Sequence, residues 1–226
     1  MILERLRRAG AWKTAWFVSR LARGQFGEFL LARRAIRKFG AVQRTRELME
    51  LIHLVREQSP GVILEIGTKA GGTLYCWARV SSCDALLISV DLPDGEFGGG
   101  YSELEAPRFK NFLRENQRLS CLRMDSHSGA ARESVVELLE GKSIDFLFID
   151  GDHRYEGVRA DFENFSPLVR PGGLIAFHDT RANPGMPAAQ VHRFWEEIKN
   201  QSRHLELIDR SSEAQFGMGI GVLVRK

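Results

Sequence analysis

The chain has 226 residues, of which 43% are hydrophobic, and three cysteines, Cys76, Cys83 and Cys121. An odd cysteine count without metal-ligand spacing argues against a disulfide framework or a zinc site, and it predicts a reducing, cytoplasmic compartment. The first residues are charged and no apolar run is long enough to span a bilayer, so we expect neither a secretory signal nor a membrane span.

The net charge of +3 is distributed unevenly along the chain. Residues 1–50 contain twelve Lys and Arg against four acids, a net charge of +8, which leaves −5 for the rest. We therefore predict a basic helical N-terminal arm over residues 1–44 and a single catalytic domain over residues 45–226. The periodicity of the arm predicts an amphipathic helix over residues 2–22 and a second helix from Glu28 to Phe39.

The sequence of the arm leaves its role open. Basic residues together with Trp12, Trp16 and Phe17 fit a weak membrane-surface contact, and a homo-oligomer contact or a cover over the active site are alternatives. A solvated charged face on a packed helix is the simpler interpretation. We do not expect nucleic acid as a partner, because the basic residues are not interleaved with a known binding module.

After a helix over Thr45–Glu57, short apolar strands alternate with helices. This alternation predicts an α/β fold with a mostly parallel, Rossmann-like, seven-stranded sheet that carries helices on both faces. In such sheets the ligand lies outside the carboxyl ends of the strands, so we expect the chemistry there. The predicted strands are Val62–Ile66, Leu86–Val90, Leu119–Met124, Ile144–Ile149, Leu174–Phe177, Leu205–Ile208 and Ile220–Val224, and the predicted helices are Gly71–Val80, Pro107–Gln117, Arg132–Leu139, Tyr155–Phe165 and Pro187–Asn200.

A glycine-rich turn from Gly67 to Gly72 follows the first strand and opens a helix. Glycine allows a ligand to approach the backbone closely, and the free N–H groups of a helix start face that ligand. The spacing is not the dinucleotide fingerprint. Glu65 in front of the turn would oppose a pyrophosphate, but it can accept a hydrogen bond from an ammonium group. A tight turn without a ligand is the alternative.

Acids follow the second and third strands. Asp91 lies about twenty residues after the glycine turn, where a carboxylate can accept both ribose hydroxyls of an adenosine. Asp125 can accept from an adenine amino group, with Ser126 beside it. Capping of the next helix by Asp125 or Ser126 is the alternative.

The fourth and fifth strands bring Asp150, His178 and Asp179 to the same edge of the sheet. Neighbouring strands lie about 4.8 Å apart, so the two carboxylates can converge with the imidazole. This set predicts a site for Mg²⁺ or another divalent cation, although hard Mg²⁺ rarely takes imidazole. The alternative is that His178 pairs with a carboxylate and Asp152 caps the following helix.

Two loops are candidate lids over this edge. The Gly-rich, acidic stretch Asp91–Pro107 carries Phe97 and Tyr101, which could close over a substrate. The second candidate is Arg181–Pro187. A surface loop without that role is the alternative for the first.

Taken together, these motifs resemble class I S-adenosylmethionine-dependent methyltransferases, in the family (methyltransferase family 24) that includes cephalosporin-hydroxylase-type and macrolide-sugar O-methyltransferases. They are similar, more distantly, to catechol and caffeoyl-CoA O-methyltransferases. The resemblance covers about residues 45–226. It is carried by Glu65-x-Gly67-x-x-x-Gly71-Gly72-Thr73, by Asp91, by Asp150-Gly151-Asp152-His153-x-Tyr155-Glu156-Gly157-Val158-x-x-Asp161, by Pro171-Gly172-Gly173 and by His178-Asp179-Thr180.

The resemblance implies a role for each matching position. His178 is a departure, because the relatives usually have an acid there, and this puts the metal in question. The implied cofactor-binding residues are Glu65, Gly67, Gly71 and Thr73 for the methionine part of S-adenosylmethionine, Asp91 for the ribose, and Asp125 and Ser126 for the adenine; the implied metal ligands are Asp150, His178 and Asp179, and the implied general base is His153.

We therefore predict an O-methyltransferase that uses S-adenosylmethionine to methylate a hydroxyl of a small molecule (a sugar, a glycan or a natural product) with divalent-metal assistance. His153 has an ordinary pKa suited to removing the acceptor's proton at neutral pH. The alternatives are an NAD-type oxidoreductase, which shares the fold and the position of Asp91, an inactive binding protein, and an iron oxygenase that uses His178, Asp150 and His153.

Overall fold

The computed structural model describes residues 25–93, 99–211 and 216–226. The strands are β1 (Val62–Ile66), β2 (Leu86–Asp91), β3 (Arg118–Arg123), β4 (Ile144–Ile149), β5 (Val169–His178), β6 (His204–Leu207) and β7 (Ile220–Val224), and the α-helices are α1 (Phe26–Phe39), α2 (Thr45–Gln58), α3 (Gly72–Val80), α4 (Gly129–Leu139), α5 (Tyr155–Phe165) and α6 (Val191–Ile198).

These seven strands form one sheet in the order β3-β2-β1-β4-β5-β7-β6. The first five strands run parallel, and β7 runs antiparallel to both of its neighbours, β5 and β6. The predicted mostly parallel sheet with covering helices is therefore confirmed. The strand order reverses between β1 and β4, and a crevice opens at such a reversal beyond the carboxyl ends of the strands.

Two hydrophobic cores lie on opposite faces of the sheet. Successive side chains of a strand point to opposite faces. Accordingly, Ile63 and Phe148 join the core under α1, α2 and α3, whereas Leu64 and Leu147 join the core under α4, α5 and α6. Because both faces are covered, the central strands are apolar almost without interruption, which is the pattern that the sequence shows.

Helix α1 packs against α2 and α3, and its Ala32 and Ala35 are fully buried. Gly40 ends the helix with a φ of 71°, and the N–H of Ala41 donates to the carbonyl of Ala35 at 3.2 Å. A left-handed glycine of this kind reverses the chain at a helix end. The following residues then cross the carboxyl edge of the sheet. The helix predicted over residues 2–22, with Trp12, Trp16 and Phe17, lies outside the described residues.

Tyr101 is buried and does not act as a lid. Its hydroxyl lies 3.0 Å from Oγ of Ser89, and its ring packs edge-on against Phe109. The sequence interpretation missed this because an aromatic residue in a Gly-rich loop gives no sign of the direction in which it points. Phe97, the other predicted lid residue, lies outside the described residues.

Helices α4 and α6 begin at Gly129 and Val191, where Arg132 and Pro187 were predicted, and two further elements differ more strongly from their predictions. Residues Ala106–Phe112 form a 3₁₀ helix in place of an α-helix over Pro107–Gln117, and β5 already begins at Val169. The β5 extension runs through the Pro-Gly-Gly turn signal, where the β4–β5 register shifts between Ile144 and Phe146. No helix in the described ranges is both long enough and apolar enough to cross a membrane.

Candidate active site

A cleft of about 540 Å³ lies at the carboxyl ends of the parallel strands. The strand order arranges the strand ends along it as β3, β2, β1, β4 and β5. Nine of the eleven predicted site residues line this cleft, namely Gly67, Thr73, Asp91, Asp125, Ser126, Asp150, His153, His178 and Asp179.

Gly67 forms the floor of the cleft after β1. Its φ is 84°, and a Cβ atom at this position would lie 2.1 Å from the backbone oxygen of Asp150. Only glycine therefore fits here, because both the backbone conformation and the close contact exclude a side chain. Gly71 is also left-handed, but a Cβ there would meet the ring of Phe109 at 2.5 Å. Gly71 shapes the turn from the far side and does not line the cleft.

Glu65 lies behind the glycine turn and is fully buried. Its Oε2 accepts from the hydroxyl of Thr68 and its Oε1 from the indole N–H of Trp77, each at 2.7 Å. Burial raises the pKa of Glu65 to about 7 despite these donors. The expected direct bond to an ammonium group is not available to it here, because both oxygens are engaged and protein covers them. Glu65 instead holds the turn against α3.

Asp91 lines the cleft beside the turn. Its Oδ2 accepts from the backbone N–H of Lys69 at 2.6 Å, which links the end of β2 to the glycine turn. Burial raises the pKa of Asp91, and the backbone N–H donors oppose that rise. Asp91, which is predicted to bind the ribose, therefore also fixes the glycine turn beside it.

Asp125 and Ser126 line the cleft beyond β3. Oδ1 of Asp125 accepts from the backbone N–H of His127 at 2.9 Å. The α4 cap is Ser128, whose Oγ accepts from the N–H of Ala131 at 3.2 Å. The alternative that Asp125 or Ser126 caps this helix is thereby removed. Ser126 is nearly buried, and its side chain is hydrogen-bonded to the carboxyl group of Asp161.

At the other end of the cleft, two histidines and two aspartates alternate in a ring. Nδ1 of His153 lies 2.8 Å from Oδ2 of Asp179, and Nδ1 of His178 lies 3.0 Å from Oδ1 of Asp150. Longer contacts close the ring, at 3.6 Å between His178 and Asp179 and at 3.7 Å between His153 and Asp150. Each acid thus faces both imidazoles.

The ring changes the protonation of its members. Burial alone would lower the pKa of His178, but the charge of Asp150, with the further acids Asp179 and Glu47, raises it to about 9. Burial likewise opposes the rise in the pKa of His153, and the hydrogen bond to Asp179 together with the charges of Asp150 and Asp179 outweighs it. Burial would raise the pKa of Asp179, yet its bond to His153 and the charge of His178 lower it. The ring therefore favours an ionised Asp179 and a cationic His178 at neutral pH.

The predicted metal ligands come together, but they are paired with imidazoles and other donors. Asp150 is engaged by His178 and by Gln43, whose Nε2 donates to Oδ2 of Asp150 at 2.7 Å. Asp179 is engaged by His153 and by the backbone N–H of Met218. No group of three acid, histidine or cysteine side chains in the described ranges could hold a metal ion. As the alternative interpretation has it, His178 pairs with a carboxylate. Asp152 does not cap α5, because the N-cap residue is Arg154, and Asp152 accepts from the N–H of Arg154 itself at 2.9 Å.

Several lining residues were not predicted from the sequence. His127 was missed, although it adjoins Asp125, and its Nε2 lies 3.5 Å from Oδ1 of the fully buried Asp161. Gln43, from the segment between α1 and α2, has no motif around it that could have revealed it. Met186 and Met218 come from the loops after β5 and before β7, and they line the cleft near Asp179.

The sheet order, the acids at the strand ends and the glycine turn define the class I methyltransferase architecture. A family model described as a methyltransferase domain (Methyltransf_24) matches residues 64–180, more than half of the chain. The chain therefore belongs to this methyltransferase family.

Two curated relatives carry no assigned function. An uncharacterized protein y4gI of Sinorhizobium fredii is 30% identical over 154 residues, which are 66% of this chain but 16% of that protein. An uncharacterized protein R132 of Acanthamoeba polyphaga mimivirus is 43% identical over 49 residues, 21% of this chain and 22% of that protein. The matched part of the chain thus spans less than a quarter of either relative.

Solved structures share the fold at low identity. An O-methyltransferase from Bacillus cereus in complex with SAH has a TM-score of 0.56 and 23% identity, covering 89% of this chain and 91% of that one. TomG from Streptomyces achromogenes, in complex with SAM, has a TM-score of 0.57 and 18% identity, covering 88% and 90%. MycE of the mycinamycin pathway, in complex with Mg, SAH and mycinamycin VI, has a TM-score of 0.57 and 15% identity, covering 87% and 54%.

Proposed function

We propose that this protein is an S-adenosylmethionine-dependent O-methyltransferase that acts on a hydroxyl group of a small molecule such as a sugar, a glycan or a natural product. The observation that carries the proposal is the order of groups along one cleft. Residues suited to a nucleoside lie at the ends of β3, β2 and β1, and a paired imidazole lies beside the ends of β4 and β5.

The strand spacing sets where each part of the cofactor would lie. With strands about 4.8 Å apart, adenine would lie near Asp125 and Ser126, ribose at Asp91, and the methionine portion near Gly67 and Thr73. Its sulfonium methyl group would then lie towards the end of β4, next to the acid–imidazole ring. The choice of cofactor is supported by the Bacillus cereus and Streptomyces achromogenes structures of the same fold, which are complexes with SAH and SAM.

His153 is the proposed general base. Its Nδ1 is held by Asp179 at 2.8 Å, which orients the ring and leaves Nε2 as the nitrogen that takes the proton. The acceptor hydroxyl passes its proton to Nε2 of His153, and the acceptor oxygen attacks the methyl carbon in line with the carbon–sulfur bond. That bond breaks towards sulfur, giving the methyl ether and S-adenosylhomocysteine.

Divalent-metal assistance at Asp150, His178 and Asp179 is a second form of this proposal, and the Mg bound to MycE favours it. As arranged, however, the three side chains do not fit the ion, because each carboxylate already faces an imidazole and a further hydrogen-bond donor. The proposed proton transfer to His153 therefore does not require a metal ion.

A ligand-dependent melting experiment tests the cofactor class. S-adenosylhomocysteine should raise the melting temperature of the protein, and NAD⁺ should not. A ligand at a hundredfold excess over its dissociation constant stabilises the folded state by about 2.7 kcal/mol. Stabilisation by NAD⁺ alone would favour the oxidoreductase alternative.

Methyl transfer is tested separately. The protein and radiolabelled S-adenosylmethionine are incubated with small-molecule extracts, and the products are searched for a labelled methyl ether. His153→Ala should lower the rate of labelling about a hundredfold or more while binding of S-adenosylhomocysteine persists. Binding without transfer to any acceptor would favour the inactive binding protein.

A further inference from the structure

The segment between α1 and α2 forms one wall of the cleft, although it lies before the region matched by the family model. Gly40, Ala41, Val42 and Gln43 all line the cleft. A Cβ atom on Gly72 would lie 2.4 Å from the backbone nitrogen of Ala41, so the segment packs directly on the start of α3. This position is beside the β1 and β4 ends, where the proposed function puts the methionine part of the cofactor.

Gln43 is the polar side chain of this wall, and it is only 6% exposed. Its Nε2 donates to Oδ2 of Asp150 at 2.7 Å, whereas its Oε1 is buried and has no hydrogen-bond partner within the described part of the chain. Exchanging the two ends of the amide would place its oxygen against the carboxylate of Asp150. The orientation is therefore fixed by chemistry, and the unpaired atom is the acceptor.

A buried acceptor without a donor costs free energy, which a ligand can recover by supplying the donor. Gln43 lines the cleft and its terminal torsion is soft, so rotation about that torsion can turn Oε1 towards a bound molecule. The methionine portion of S-adenosylmethionine has one hydrogen-bond donor, its α-ammonium group. The adjacent carboxylate of Asp150 favours a cation at the same place.

We propose that Gln43 accepts a hydrogen bond from the α-ammonium group of the bound cofactor, and that the α1–α2 segment thereby recognises its amino-acid end. This inference rests on the proposed function. It adds a cofactor contact from outside the matched family region.

Two ligands that differ at the amino-acid end test the proposal. S-adenosylhomocysteine carries the ammonium group, and 5′-methylthioadenosine shares its adenosine and sulfur but has no amino-acid portion. Their affinities are measured by calorimetry on the full chain for wild type and Gln43→Met, which keeps the length of the side chain. Gln43→Ala serves as a second variant, and Val42→Ala is the control in the same wall.

Gln43→Met should weaken binding of S-adenosylhomocysteine about tenfold or more, as expected for a hydrogen bond to a charged group, and leave 5′-methylthioadenosine within about twofold. Val42→Ala should change both affinities by the same factor. An equal loss of both ligands in the Gln43 variants would show a merely structural role, and unchanged binding of both would assign the unpaired oxygen to something other than the cofactor. Either result overturns the inference, whereas a wild type that binds neither nucleoside would refute the proposed function itself.

Discussion

Nδ1 of His153 and Oδ2 of Asp179 lie 2.8 Å apart, although the two residues follow different strands, β4 and β5. Asp179 reaches this position with a φ of 58°, a left-handed conformation that is uncommon for residues other than glycine. The N–H of Met218 also donates to its carboxylate. The pair is thus held from three parts of the chain, as a base and the group that orients it should be.

Removing this pair should affect turnover and not cofactor binding. With an identified methyl acceptor as substrate, we expect His153→Ala to lower kcat about a hundredfold or more, because general-base catalysis contributes that much. Asp179→Asn should lower kcat in the same direction, since the amide no longer fixes the ring as a proton acceptor. Both variants should bind S-adenosylhomocysteine as wild type does in calorimetry. A matching loss of cofactor affinity would mean that the pair is structural.

Asp91 should contribute to binding of both nucleosides, because both carry the ribose. We expect Asp91→Ala to weaken S-adenosylhomocysteine and 5′-methylthioadenosine alike, by about tenfold or more. Asp91→Asn retains an oxygen for the N–H of Lys69 and so separates the loss of charge from loosening of the turn. Asp84→Ala, an exposed acid away from the cleft, is the control. Calorimetry that shows wild-type affinity in Asp91→Ala would refute the ribose assignment.

Glu47 should stabilise the fold around the acceptor end of the cleft. This fully buried residue of α2 accepts from the backbone N–H groups of Asp209 and Gly219, at 2.9 and 3.1 Å. Glu47→Ala leaves both donors unpaired, so we expect a loss of about 2–4 kcal/mol in the free energy of unfolding. Glu57→Ala on the same helix, with a 65% exposed side chain, should change it by less than about 0.5 kcal/mol. Similar urea midpoints for the two variants would contradict this.

Glu65 should make stability depend on pH. Its pKa is about 7 in the folded protein, because burial disfavours the carboxylate, and near 4.5 when unfolded. Between these values the folded state holds a proton that the unfolded state has lost, so the contribution of Glu65 to stability falls as pH rises from about 4.5 to 7.

The variant Glu65→Gln removes this titration and can still accept from Trp77. The unfolding free energy of wild type minus that of the variant should therefore fall between pH 4 and 8, by on the order of 3 kcal/mol. Denaturation at several pH values measures this difference. Parallel curves for the two proteins would contradict the assignment.

Mg²⁺ should not stabilise the protein in the absence of ligands, because the carboxylates of Asp150 and Asp179 already face imidazoles and further donors. Melting temperatures measured with Mg²⁺ and with a chelator should agree. A saturable rise with Mg²⁺ or Mn²⁺ that disappears in Asp150→Asn would instead establish the metal site expected from the sequence.

The elements whose bounds were predicted correctly from the sequence are those with a continuous apolar pattern. Strands Val62–Ile66, Ile144–Ile149 and Ile220–Val224 and helix Tyr155–Phe165 have the predicted bounds, because burial on both sheet faces or on one helix face dictates residue type directly. The antiparallel direction of β7 was not predicted, because a short apolar run has the same residue types in either strand direction.

Contacts between residues that lie far apart in the sequence could not be predicted either. The strand ends located most of the cleft, but Gln43 meets Asp150 from 107 residues away. The position of Glu65 is a related case. A carboxylate before a glycine turn suggests a ligand contact, and only the packing of Trp77 and Thr68 shows that it faces inward.

The contact between Gly67 and the Asp150 backbone has a consequence for protein engineering. Since not even a methyl group fits between them, the proposed floor under the methyl donor is packed directly on the strand end that leads to His153. Attempts to retarget the enzyme to new alcohols should therefore leave β1 and β4 untouched and vary Met186 and Met218, which line the cleft from the loops after β5 and before β7.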